Sequence, residues 1–361
     1  MAESNFATPK LDNLATARQL HQMWIQNTTQ RLLHRNGRGI SDKYVTDVMT
    51  DEIRVIRLTK STAGFRTLGA TGTNTASFNR LDPQQPVSQE YGLRIRNVFD
   101  RTYEVAQVQM DMLPLDIIGG LSEVIEQRVA KLINASTLAL QVLTILNDND
   151  GESDHIYTLG ASEGLLEGFI QANAILDEGD PDNGQDTFEL SERLAIMRSK
   201  GIAQLKTSEG AVFDMANVTS QELLRLGSLS EPEAFQINTR RDGYRGDIDG
   251  CPVVMASNDI WKVVETLLGL DPGDLDKVHA VFSASEATAR GIHYAGVDID
   301  KHPTGRGVLM KPLFRWGHEV FFDKGIVLLV ANDFANPAGT ATGTDFEALT
   351  LTAVDNSLPT E

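Results

Sequence analysis

Several residues in the chain are of types that could do chemistry, and each was tested against the spacing that chemistry requires. The lone cysteine, Cys251, sits in "GYRGDIDGCPVVMASNDI", residues 243–260, where three glycines and a proline deliver a short apolar run to a helix start. A cysteine followed by Pro252 at the head of an apolar strand reads as a small buried thiol, not a nucleophile. His155, His279, His293, His302 and His318 are scattered without metal-ligand spacing. "HEVFF" opens like a zinc-protease helix but has Phe322 where the second histidine belongs, and its alternation is that of a strand.

The acidic loops "NDNDGESD" and "DEGDPDNGQD" invite a calcium reading. With Gly151 as the sixth loop residue, positions 1 and 12 are Leu146 and Tyr157; with Gly184 they are Gly179 and Leu190. None of the four supplies a carboxylate, so both read as solvated turns. "GATGTNT" lacks the lysine of a phosphate loop, and no Gly-x-Ser-x-Gly elbow occurs. No catalytic residue, cofactor or metal site is therefore expected, and the chain is read as not being an enzyme.

The elements around these residues carry the message instead. Residues 11–35 predict an amphipathic helix, with Leu14, Ala17, Leu20 and Trp24 on one face and "NGRG" as its stop. Such a helix either packs back on its own domain or lies on a neighbouring subunit. From Asp51 two strand-like runs, "EIRVIRL" and "YGLRIRNVF", flank a long Thr-, Gly- and Ser-rich stretch that cannot pack a core itself. Between Asp51 and Arg101 there are eight basic residues, Arg54, Arg57, Lys60, Arg66 and Arg80 among them, against five acidic ones. That segment is positive on a chain of net charge −18, and so complementary to the rest of its own kind.

"EVAQVQMDML" alternates as a strand, and apolar residues from Leu121 to Leu146 recur at three and four, predicting one helix over 120–147. Further helices are predicted at "SEGLLEGFIQANAIL", "DTFELSERLAIMRSKGIAQL" and "TSQELLRLG". Beyond Val278 strands dominate: "VHAVFS", "GIHYAGVDID", "GVLMKPLFRWGHEVFF" and "GIVLLVAN", the last two joined through "DKG" as a hairpin. The tail from Asn336 is poor in large apolar residues apart from "FEALTLTAV", and reads as an extension ordered by a partner strand.

Of the 361 residues, 41% are hydrophobic and 23% charged, ordinary globular usage that argues against wholesale disorder. The acidic balance argues against a surface built to grip nucleic acid. It is compatible with a wall that encloses DNA without sticking to it. One cysteine cannot form an internal disulfide. The stretch "MAESNFATPK" lacks the basic and apolar blocks of a signal peptide, and the longest apolar run, "GIVLLVA", is far short of the ~20 residues of a membrane helix. A soluble, cytoplasmically made protein without a membrane partner is expected.

Taken in order, these elements resemble the major capsid proteins of tailed double-stranded DNA viruses with the Hong Kong 97-like fold. The most specific pieces are "GYRGDIDGCPVVMASNDI", "VHAVFSASEATARGI" and the strand series after it. The resemblance implies an α+β fold with an N-terminal arm (1–50), an extended loop (51–101), a peripheral domain with spine helix (102–160), an axial domain (161–282), a peripheral-domain sheet (283–335) and a C-terminal extension (336–361). It implies a homo-oligomeric icosahedral shell of hexamers and pentamers, assembled in the host cytoplasm and enclosing DNA without sequence-specific binding. A portal, a decoration protein and a separate scaffolding protein are the implied partners, the last because only about 50 residues precede the loop. The loop's Arg54, Arg57, Lys60, Arg66 and Arg80 would make inter-subunit contacts. Gly243, Gly246 and Gly250 would form the axial-domain turn, 252–255 the strand, and Ser257, Asn258 or Asp259 the helix cap. Some members crosslink a loop lysine to an asparagine of a neighbour; no motif fixes Lys60 and Asn332 in those roles, and they read as an exposed lysine and a turn asparagine. An encapsulin-like compartment, a tail or baseplate component, and an enzyme of another α+β family are the alternatives.

Overall fold

The computed structural model describes residues 28, 31–44, 52–58, 88–95, 97–100, 103–106, 117–147, 155–179, 187–207, 243–301 and 307–337. The helix expected over 11–35, the second half of "EVAQVQMDML", "TSQELLRLG" and the C-terminal extension lie largely or wholly outside them. The described chain runs β1 (Arg35–Asn36), β2 (Gly39–Tyr44), β3 (Glu52–Leu58), β4 (Ser88–Arg94), β5 (Asn97–Asp100), β6 (Tyr103–Ala106), α1 (Ile117–Leu146), β7 (Ile156–Thr158) and α2 (Leu165–Ile175). It continues through β8 (Arg193–Arg198), α3 (Ser199–Thr207), β9 (Tyr244–Ile248), β10 (Cys251–Ala256), α4 (Asn258–Leu268), β11 (Val278–Ala284), β12 (Thr288–Lys301), β13 (Gly307–Val320) and β14 (Ile326–Val330). Helices and mixed sheets together make the fold α+β, as expected.

Helix α1 is 30 residues, about 45 Å at 1.5 Å per residue. Its stretch Glu123–Leu146 is long and apolar enough to cross a membrane, although polar residues keep any single apolar run within it short. Those interruptions are internal: Asn134, Thr137 and Gln141 are buried, and 83% of the most apolar window lies inside the protein. The Thr137 and Thr144 hydroxyls donate back to the carbonyls of Ile133 and Leu140, which satisfies them without a partner helix. This is a core helix.

Two six-stranded sheets receive α1. In the first, the order is β1-β2-β12-β13-β5, with β6 also on β13. The long pair β12 and β13 runs antiparallel from Thr288↔Val320 to Lys301↔Val308. The second sheet is mixed, in the order β7-β14-β11-β8-β10-β9. The pair β3 and β4 forms a separate antiparallel ribbon, from Glu52↔Arg94 to Leu58↔Ser88.

Two expectations are corrected here. "RLAIMR", read as part of a helix, is β8, paired parallel to β10 and antiparallel to β11 with every residue buried. A strand covered on both faces shows a continuous apolar run, which periodicity cannot tell from a buried helix. The expected hairpin through "DKG" does not form, because β13 belongs to the first sheet and β14 to the second. Asp323–Gly325 is a short 3-10 turn that passes the chain between sheets. β14 therefore leaves the sheet expected over 283–335 and lies, wholly buried, between β7 and β11. The chain also crosses between the sheets from β11 to β12, and the two crossings are bonded: the Phe321 and Phe322 amides donate to the Ala287 carbonyl at 2.7 and 3.3 Å. A Cβ on Gly325 would collide with that of Ala287 and sit 3.1 Å from the Phe188 ring, so the crossings touch because residue 325 has no side chain.

Candidate functional site: glycine turn, ribbon and arm anchor

The glycine turn is a β-hairpin. Strands β9 and β10 close on the pair Ile248↔Cys251, leaving Asp249 and Gly250 as a two-residue loop. Their φ values, 51° and 72°, are both left-handed, as a type I′ turn requires, and Asp-Gly is a favoured sequence for it. Gly246 (φ 134°) lies opposite Val253, where the register slips by a bulge. Gly243 (φ 78°) has a second reason to lack a side chain: a Cβ there would stand 2.5 Å from the Met255 carbonyl oxygen, beside the bond from the Met255 amide to the Gly243 carbonyl. The hairpin aims β10 alongside β8, and Ser257 then takes the N-cap position of α4, extended at φ −67°, ψ 153°. Cys251 is fully buried, and burial pushes its thiol up to about 12. A protonated, enclosed thiol is no nucleophile.

The structure places Arg54 and Arg57 on β3, in register with Gly92 and Gln89 of β4. Lys60, Arg66 and Arg80 fall outside the described residues, in the chain between β3 and β4. The base of the ribbon is fixed: β4 packs against β12 and β13, with Leu93 and Ile95 buried. Arg54 and Arg57 are thus carried on a ribbon that belongs to neither main sheet and is rooted on the first. Asn332 is exposed in the turn after β14, as a turn asparagine should be.

Sequence reasoning missed an ionic cluster that anchors the segment 31–44. Arg290 on β12 is in register with Asp42 on β2 and His318 on β13, so the three stand in one row across the sheet. The Arg290 guanidinium donates to both Asp42 carboxylate oxygens, at 2.8 and 2.9 Å, and to the His34 carbonyl at 3.2 Å. Both side chains of this pair are almost wholly buried, at 0% and 3% exposure. From α1, Gln141 Oε1 accepts a hydrogen bond from His34 Nε2 at 2.9 Å, while its amide donates to the Thr288 hydroxyl. Asn134, two turns earlier on α1, accepts from the Leu33 amide and donates to the Arg31 carbonyl. Trp316 of β13 donates to the Ser136 hydroxyl at 3.1 Å, tying the same sheet face to the helix. Burial, reinforced by the Arg290 charge, pushes both His34 and His318 down to about 3, so both rings are neutral at pH 7. The one sequence signal for this cluster is an arginine and a histidine at inward positions of strands otherwise apolar on that face.

Other buried charges hold loops. Arg193, 1% exposed, donates to the carbonyls of Phe188 and Asn173 and pairs with Asp177, closing the two ends of the acidic loop. Glu265, 4% exposed, accepts from the amides of Gly273 and Leu275 and, at 3.5 Å, from Arg198, whose guanidinium lies 4.4 Å over the Trp261 ring. Among the described residues no group of three or more His, Cys, Asp or Glu could hold a metal ion. His34 and His318, 284 positions apart, are brought together, but as neutral, enclosed rings. The geometry of this cluster supports anchoring.

No protein-family model matches the chain, and no curated protein matches it. Among solved structures it is similar to the mature capsid of bacteriophage PhiM1, with 13% sequence identity and a TM-score of 0.48, covering 83% of this chain and 87% of that one. It is similar to the capsid of cyanophage P-SCSP1u at 10% identity and a TM-score of 0.47, covering 83% and 86% of the two chains. Similarity to the capsid of cyanophage Pam1 is at 12% identity and a TM-score of 0.47, covering 83% and 92%.

Proposed function

We propose that this chain is a major capsid protein of a tailed double-stranded DNA virus, with the Hong Kong 97-like arrangement, and that its work is geometric. The observation that carries the reading is the ribbon of β3 and β4. It carries Arg54 and Arg57 on an acidic chain, stands outside both sheets, and is rooted by Leu93 and Ile95. A two-stranded ribbon alone is marginally stable in water, so its outer part gains most from lying against another copy. In this reading α1 with the first sheet forms the peripheral domain. The second sheet with α2, α3 and α4 forms the axial domain, β7 and β14 included. Arg54, Arg57, Lys60, Arg66 and Arg80 meet acidic faces of neighbouring subunits, and many weak contacts become strong by repetition. Hexamers and pentamers then close a shell in the host cytoplasm around DNA, with a scaffolding protein, a portal and a decoration protein as partners.

The test is expression of the chain with its scaffolding protein, followed by size-exclusion chromatography and electron microscopy. Closed icosahedral particles are expected. Charge reversal at Arg54 and Arg57 together should leave a folded subunit, judged by circular dichroism, and lower the yield of particles at least tenfold. A chain that stays monomeric under all assembly conditions overturns the proposal. Tubes would assign it to a tail, and shells from the native source that hold enzyme cargo and no nucleic acid would assign it to an encapsulin-like compartment.

A further inference from the structure

The ionic cluster does more than fill space, because Arg290, Gln141 and Asn134 all hold one piece of chain. Segment 31–44 is the edge of its sheet: β1 and β2 end the strand order, and β2 is held to β12 over four residue pairs. The segment can leave without breaking any other pairing in the sheet. Its other ties include the buried side chains Leu32, Leu33 and Ile40, the packing of β2 on β11 and β8, the Asn134 clamp, the Arg31–Glu123 and Arg290–Asp42 pairs, the Arg290 bond to the His34 carbonyl and the His34–Gln141 bond.

We propose that this segment is a proton-released latch, docked while His34 is neutral and freed from α1 and β12 when His34 takes up a proton. The geometry sets the direction. Because Gln141 Oε1 is an acceptor, the proton of the neutral ring sits on Nε2, and the second proton must go to Nδ1. His34 Nδ1 is buried and has no hydrogen-bond partner. The groups around it are Gln141 on α1, Asp42 on β2, Arg290 and Thr288 on β12, and His318 on β13. His293 and Arg315 lie an odd number of residues from Arg290 and His318 along their strands, and so on the other face of the sheet. Asp42 already receives both arms of Arg290, which leaves the docked imidazolium facing a guanidinium in a buried site. Released into water, the same ring regains an ordinary histidine affinity for protons. Docking thus favours the neutral ring, and each pH unit below about 6.5 shifts the latch about tenfold toward release for this one histidine. The latch operates in the single chain and does not depend on what the chain assembles into.

Hydrogen exchange of the full chain, corrected for the intrinsic pH dependence, measures it. Between pH 6.5 and 4.5 the opening constant of amides in 31–44 should rise about fiftyfold, while those in the middle of α1 stay protected. In His34→Gln, which can hydrogen-bond but not titrate, that rise should vanish. Proton titration of the His34 ring by nuclear magnetic resonance in the unaltered chain provides a reading that needs no variant: no titration in the docked state down to pH 5 is expected. Titration near pH 6.5 with the segment still protected, protection lost equally from α1, or the same pH dependence in His34→Gln would each overturn the latch.

Discussion

Breaking the Arg290–Asp42 pair from one side should be among the most damaging single changes to the folded chain. In Asp42→Ala the guanidinium of Arg290, fully buried, keeps only the His34 carbonyl at 3.2 Å and loses two bonds of 2.8 and 2.9 Å. A buried charge stripped of its partner costs about 3–5 kcal/mol, and Arg290→Met, which takes the guanidinium from beside the buried carboxylate, should cost a similar amount. The double variant removes both charges and fills much of the arginine stem, so it should be less destabilised than the sum of the singles by about 2–4 kcal/mol. Urea unfolding of the isolated chain reads this directly, with Trp316 at the contact of sheet and helix among the fluorescent reporters. At a slope of about 2–3 kcal/mol per molar, each single variant should lower the midpoint by about 1–2 M. Singles within about 0.5 kcal/mol of the unaltered chain, or a double variant equal to their sum, would refute the claim that this pair is desolvated and coupled.

Three further outcomes follow from the turn and the loops. Gly243→Ala should cost about 3 kcal/mol or more, because its Cβ would meet a backbone carbonyl, whereas Gly250→Ala, open apart from Leu190 at 3.9 Å, should cost only the left-handed strain of about 1 kcal/mol; thermal unfolding of both separates the two causes. Cys251 should resist alkylation at pH 8 in the folded chain. Cys251→Ala should be milder than Cys251→Ser, which buries a hydroxyl at a cost of about 1–3 kcal/mol and, in the capsid reading, still leaves particles intact. Glu265→Gln removes the charge that gathers the Gly273 and Leu275 amides and Arg198, and should destabilise by about 2 kcal/mol while raising proteolysis of 269–277.

The features legible in the sequence were those with a local cause. The apolar spacing from Leu121 to Leu146 marks α1 to within three residues at its start, and the glycines at 243, 246 and 250 mark a hairpin that only positive φ angles permit. β3 and β4 show as two strand-like runs around a Thr-, Gly- and Ser-rich stretch poor in large apolar residues, and their pairing follows from that arrangement. Hidden features had distant causes. β8 is a strand because β10 and β11 take its two edges, and nothing in "RLAIMR" itself says so. β14 leaves β13 because Gly325 lets the chain pass Ala287 and Phe188 closely enough to enter the other sheet. The row Asp42, Arg290, His318 exists only once three strands from the two ends of the chain lie side by side, so no spacing in the sequence could reveal it.

The paired crossings at Ala287 and Phe321–Gly325 also set how the folded chain transmits force. A pull on the first sheet reaches the second through α1, which joins β6 to β7 and packs on both sheets, and through two further tethers that start from adjacent points and are cross-bonded there. Springs in parallel share a load, so neither tether can be extended alone. The axis through the crossings is then the line about which the sheets can tilt most easily, a pivot that permits rocking while resisting separation.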